Sequence, residues 1–153
     1  MKILLCGLIM LSVVACNVEE FRSVDISVVA QGNLYGCIQE SIFKSCSIIT
    51  DNSDWQDLQS KMNSLKDVHS DFEETEIDFS RYDVVAVFDR IRTGSYYTVK
   101  LDMVEEKSML YIKVKYEKVP NQQTLGSNVQ SYLIVKIPKV DKSIQINYVD
   151  SDL

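Results

Sequence analysis

Seven carboxylates fall between positions 67 and 83 (Asp67, Asp71, Glu73, Glu74, Glu76, Asp78 and Asp83), and the chain's single histidine, His69, sits among them. Two carboxylates with pKa values pushed apart would support general acid–base hydrolysis, and several converging oxygens would hold calcium. The spacing supports neither: the loop glycine of an EF-hand is absent, and nothing fixes which carboxylates converge. His69 has no serine or cysteine that the sequence places beside it. The expectation is a solvated acidic loop with a surface histidine, no catalytic residue, no metal site, no cofactor and no enzymatic activity. The sulfur chemistry is more definite. Cys37 and Cys46 are separated by eight residues in the body of the chain. In an oxidising compartment they could close a small loop worth about 2–3 kcal/mol; otherwise they are two buried thiols. Two sulfurs without a nearby histidine fall short of the four ligands zinc takes.

Cys6 and Cys16 belong to a different feature. Met1-Lys2 is a short basic start, Ile3 to Val14 is almost unbrokenly apolar, and Ala15-Cys16 closes the run. This is the anatomy of a secretory signal, too short for a spanning helix. Leu11-Ser12-Val13-Val14-Ala15-Cys16 resembles the bacterial lipobox. The resemblance implies removal of residues 1–15, diacylglyceryl transfer to the Cys16 sulfur and N-acylation, so that acyl chains such as palmitate anchor the mature chain stably. Residues 16–22 would then form a lipidated tether, and Glu19-Glu20 is similar to the acidic signals that follow the cysteine in some surface-exposed lipoproteins. The expected location is the cell envelope, at the outer membrane, facing either the periplasm or the exterior. The formal net charge of −6 disfavours nucleic acid as a partner.

The remaining residues, 23–149, suffice for a single globular domain, and a hydrophobic fraction of 46% supports a real core. Tyr82-Asp83-Val84-Val85-Ala86-Val87-Phe88 is apolar without alternation, which predicts a central strand covered on both faces. Val24, Ile26 and Val28 alternate as a half-buried strand before a turn at Gln31-Gly32-Asn33. Ser53 and Gln56 predict a capping box, and Trp55, Leu58, Met62 and Leu65 form one apolar helical stripe for packing on the sheet. Tyr97 to Met103 and Leu110 to Tyr116 alternate as a hairpin. A four-residue loop there would pair Val104 with Met109 and set Lys100 opposite Lys113, an unfavourable contact unless a carboxylate intervenes or an acidic partner docks. Leu133, Val135 and Ile137 define another strand. Lys139 to Lys142 read as a short turn into a last strand carrying Ile144, Ile146 and Tyr148. The predicted fold is α+β, mainly an antiparallel, sandwich-like sheet with one amphipathic helix packed on it.

The order Ile77-Asp78-Phe79, Val84 to Phe88, Thr93-Gly94-Ser95-Tyr96-Tyr97, Leu110 to Tyr116 followed by Pro120, and Tyr132 to Pro138 resembles the PrcB C-terminal domain family over residues 76–148. The family's paired glycines are here Thr93-Gly94, and Ser131 stands where a proline precedes the tyrosine. The resemblance implies an accessory or stabilising protein of a protease complex without chemistry of its own. The expected function is a membrane-anchored, non-enzymatic interaction module with a protein partner in the envelope. Tyr96, Lys100, Tyr111 and Lys113 are its candidate surface. A small-ligand or cation binder is the alternative, ahead of a carboxylate-dependent hydrolase.

Overall fold

The computed structural model describes residues 21–35, 44–65, 71–122 and 126–150; the signal-like segment, Cys16, Cys37, Asp67 and His69 lie outside the described residues. The elements in order are β1 (Arg22–Ser23), β2 (Ser27–Tyr35), β3 (Ser45–Ile49), α1 (Asn52–Leu65), β4 (Tyr82–Phe88), β5 (Arg92–Thr93), β6 (Tyr97–Glu106), β7 (Met109–Lys118), β8 (Asn128–Pro138) and β9 (Ser143–Asp150). They build two sheets, β1-β6-β7-β9 and β2-β8-β4-β3, with β5 paired to β8. The fold is α+β and mainly antiparallel, as the patterning predicts.

The second sheet is the middle of three layers. Val84, Ala86 and Phe88 of β4 face α1, while Val85 and Val87 face the first sheet, so the strand's lack of alternation reflects cover on both sides. β8 repeats the arrangement, with Tyr132 and Ile134 towards the helix and Leu133, Val135 and Ile137 towards the other sheet. On the helix side Trp55 and Met62 are fully buried, flanked by Leu58 and Leu65. Trp55 stacks edge-on to Phe72, with ring centroids 5.6 Å apart, and its indole N–H donates to the Thr75 carbonyl at 2.8 Å. Truncating Trp55 to alanine would cost about 3–5 kcal/mol.

Several local expectations need correction. The helix cap is Asp51, not Ser53: its Oδ1 accepts from the backbone N–H groups of Ser53 at 2.9 Å and Asp54 at 3.0 Å. Arg22 is not tether but part of β1, paired with Glu105. Gln31-Gly32-Asn33 is not a turn but the middle of β2, because Gly32 lies opposite Tyr132 and gives its ring room; a Cβ there would stand 3.0 Å from the phenol oxygen. The β6–β7 hairpin closes through Lys107-Ser108, with Glu106 opposite Met109 and Val104 opposite Tyr111. The register therefore moves by two residues from the expected one. An even shift keeps every side chain on its face, so Met103 still meets an apolar partner, Ile112. Finally, 139–142 is not a hairpin turn. It carries the chain from β8 to the other sheet, where β9 runs parallel to β7.

Candidate interaction edges

Among the described residues the carboxylates of the acidic segment do not converge. Asp71 Oδ2 accepts from the Tyr132 hydroxyl at 2.9 Å, and Glu74 pairs with Lys136. The Ser80 hydroxyl and backbone N–H bond the Asp78 carboxylate and hold its pKa below the usual range. Asp83 is not in a solvated loop: it lies in β4, 4% exposed, with Lys139 Nζ at 3.6 Å. Among the described residues no three His, Cys, Asp or Glu side chains could jointly hold a metal ion. Burial raises the Tyr132 hydroxyl pKa, and the Asp71 carboxylate adds to the effect.

The chain after β4 folds into a polar knot absent from the sequence reading. Asp89, fully buried, forms an ion pair with Arg92, whose guanidinium lies 3.6 Å above the Tyr97 ring centroid. Gln130 Nε2 donates to the Asp89 carbonyl at 2.9 Å, and the Asp89 N–H to the Ser131 carbonyl at 2.9 Å. The knot fixes where β6 begins relative to β8. Gly94 adopts φ +89, a positive-φ turn position that suits glycine.

Of the four candidate surface residues, Lys100, Tyr111 and Lys113 share the outer face of the first sheet. Tyr96 stands apart, edge-on to Tyr35 with centroids 6.4 Å apart. Lys100 faces Lys115 rather than Lys113, which lies opposite Asp102. The lysine pair is relieved diagonally, by Glu117 at 3.1 Å from Lys100 and Asp102 at 3.2 Å from Lys115. Such exposed pairs contribute about 0–1 kcal/mol each and leave the face charge-balanced, without the excess that would draw an acidic partner.

The open edges are more informative. β1 covers β6 only at Val104 and Glu105, extended by the Val24 N–H donating to the Met103 carbonyl at 3.3 Å. Beyond it, from Tyr97 to Asp102, no strand among the described residues pairs with β6 on that side. Backbone groups repeat with period two along a strand, so Leu101 and Val99 point the same way as Met103. Tyr97 shares that parity, and its carbonyl accepts from the Ser131 hydroxyl at 2.6 Å. A seam about 380 Å³ in volume runs there, walled by Ile26, Val28, Leu133 and Val135, and continues past Gln31 and Thr98 into a second cleft of about 290 Å³. Val28, 39% exposed, forms part of its lip. Edge status depends on topology, so no signal within 97–103 alone reveals it.

At the far side, Cys46 lies half-buried between the sheets, and burial pushes its thiol up to about 11. Its expected partner Cys37 is outside the described residues. No helix among the described residues is long and apolar enough to cross a membrane. No family model, no curated protein and no solved structure matches this chain.

Proposed function

We propose that this chain is a lipid-anchored, non-enzymatic interaction module of the bacterial envelope that receives an extended segment of a partner protein in the seam beside β6. The observation that carries this reading is the unpaired edge at Val99 and Leu101 bordering an apolar cleft. An extended strand is the occupant that suits both features. It returns the backbone hydrogen bonds of the edge and inserts alternate apolar side chains between Ile26, Val28, Leu133 and Val135. β1 already occupies the upper part of this edge in the same manner, so an added strand continues an existing pairing. Attachment through Cys16 would confine the encounter to the membrane surface. The resemblance to the PrcB C-terminal domain makes a protease complex the first partner to test.

The test is photocrosslinking in intact cells, with a benzophenone amino acid at Val28 in the seam or at Lys113 on the outer face, and Cys16→Ser as the mislocalised control. The expected result is a discrete adduct from position 28 that maps to an alternating apolar segment of one envelope protein. The adduct should be lost in Cys16→Ser. Equal labelling from position 113, or no adduct from position 28, would overturn the reading.

A further inference from the structure

Among the described residues β9 is the opposite edge of the first sheet and, from Ser143 to Val149, contains no charged residue. β6 and β7 in the same sheet carry four charged residues each (Lys100, Asp102, Glu105 and Glu106; Lys113, Lys115, Glu117 and Lys118), the usual protection against unwanted strand pairing. Half of the six exposed large hydrophobic residues described lie on β9: Ile144 at 36%, Tyr148 at 48% and Val149 at 40%. Ile144, Ile146 and Tyr148 stand opposite Leu110, Ile112 and Val114 of β7 and thus share its inner face, whereas Gln145 and Asn147 lie exposed on the outer face.

From Ile144 to Tyr148 the order of residue types also reads alike in both directions about Ile146. An antiparallel pair of identical edge strands is related by a two-fold axis perpendicular to the sheet, which keeps inner residues opposite inner residues. With the axis at Ile146, Ile144 meets Tyr148 of the other copy and Gln145 meets Asn147, an apolar pair inside and an amide pair outside. An axis at Asn147 would set Ile144 against Asp150 and Gln145 against Val149. One at Gln145 would set Lys142 against Tyr148. The axis at Ile146 keeps the four residues flanking it matched in kind, with Ser143 meeting Val149 at the ends, and no like charges meet within Ser143–Val149 although each copy carries a net charge of −6.

We propose that β9 is a self-recognition edge, through which two copies of this chain join antiparallel about Ile146 to make one continuous eight-stranded sheet. The partner is a second copy rather than an unrelated strand because the residue pattern of β9 from Ile144 to Tyr148 is its own complement. This edge is separate from the seam beside β6, so either proposal can fail without the other.

The experiment is sedimentation velocity on the full chain in detergent micelles, with charge exchange at the two exposed outer positions. One variant carries Gln145→Lys and Asn147→Lys, the other Gln145→Glu and Asn147→Glu. In the proposed register each repels itself and complements the other. The expected result is a wild-type dimer, self-association weakened about tenfold or more in each variant, and dimerisation restored on mixing. Circular dichroism and melting should show both folds retained; Tyr148→Lys provides an independent disruption if one does not fold. A monomeric wild type, variants that dimerise as tightly as wild type, or a mixture that remains monomeric would each overturn the proposal.

Discussion

The Asp89–Arg92 pair shows how a buried charge is tolerated. The carboxylate is fully buried and the guanidinium nearly so, with the Tyr97 ring stacked on it and the Arg90 N–H donating to Asp89 Oδ1 at 2.7 Å. Removing one partner strands the other, so Asp89→Ala should cost about 3–5 kcal/mol in urea denaturation, and a joint Asp89→Leu/Arg92→Met replacement should recover much of that loss. Cys46 and Tyr132 are acids buried in their neutral forms, with pKa values raised from 9.0 to about 11 for Cys46 and above 10.0 for Tyr132. The folded chain holds these protons more tightly than the unfolded chain. Their contribution is therefore complete below the unfolded values and is lost as pH climbs through the folded ones. The melting temperature of the reduced protein should fall from about pH 9 upward, and Cys46→Ala should remove the earlier part of the decline. A Cys37–Cys46 disulfide would remove the same part in the oxidised chain, so comparing the two redox states tests that pairing directly.

At the level of elements, the β6–β7 turn holds a correctable strain. Lys107 adopts φ +24 in a two-residue loop, a region that favours glycine. Lys107→Gly should stabilise the protein by about 0.4–1 kcal/mol, measured by chemical denaturation, and an unchanged midpoint would show that the turn bears no strain. This turn also marks where the sequence stopped being legible. Alternation identified both strands and their inner faces, because that information is carried residue by residue. It could not choose between registers two residues apart, which present the same faces and comparable apolar pairs. The unbroken apolar run of β4 and the Trp55–Leu58–Met62–Leu65 stripe were readable for a similar reason: burial on two faces or on one leaves a local pattern. The parallel pairing of β9 was not readable, since a four-residue connection ordinarily signals a hairpin and here the chain changes sheets. The candidate edges were hidden further still. Val99 and Leu101 look like any core-facing strand residues until the topology shows that β1 stops short of them.

Across the whole molecule the layering sets a gradient of stability. β4 and β8 are paired on both sides and covered on both faces, whereas β9 and the lower half of β6 each have one open side among the described residues. Amide exchange should follow this order. Amides from Val84 to Val87 and Leu133 to Val135 should open only with global unfolding, while outward-pointing amides of β9, Val99 and Leu101 exchange through local fluctuations. The experiment separates the two edges without substitution. If β9 joins a second copy, its protection should grow with protein concentration while Val99 and Leu101 stay unchanged; if the seam takes a partner strand, those two amides should slow only when that partner is added. Exchange of β9 as slow as that of β4 in dilute protein would mean that another part of the chain covers the edge, and the self-recognition proposal would then lose its basis.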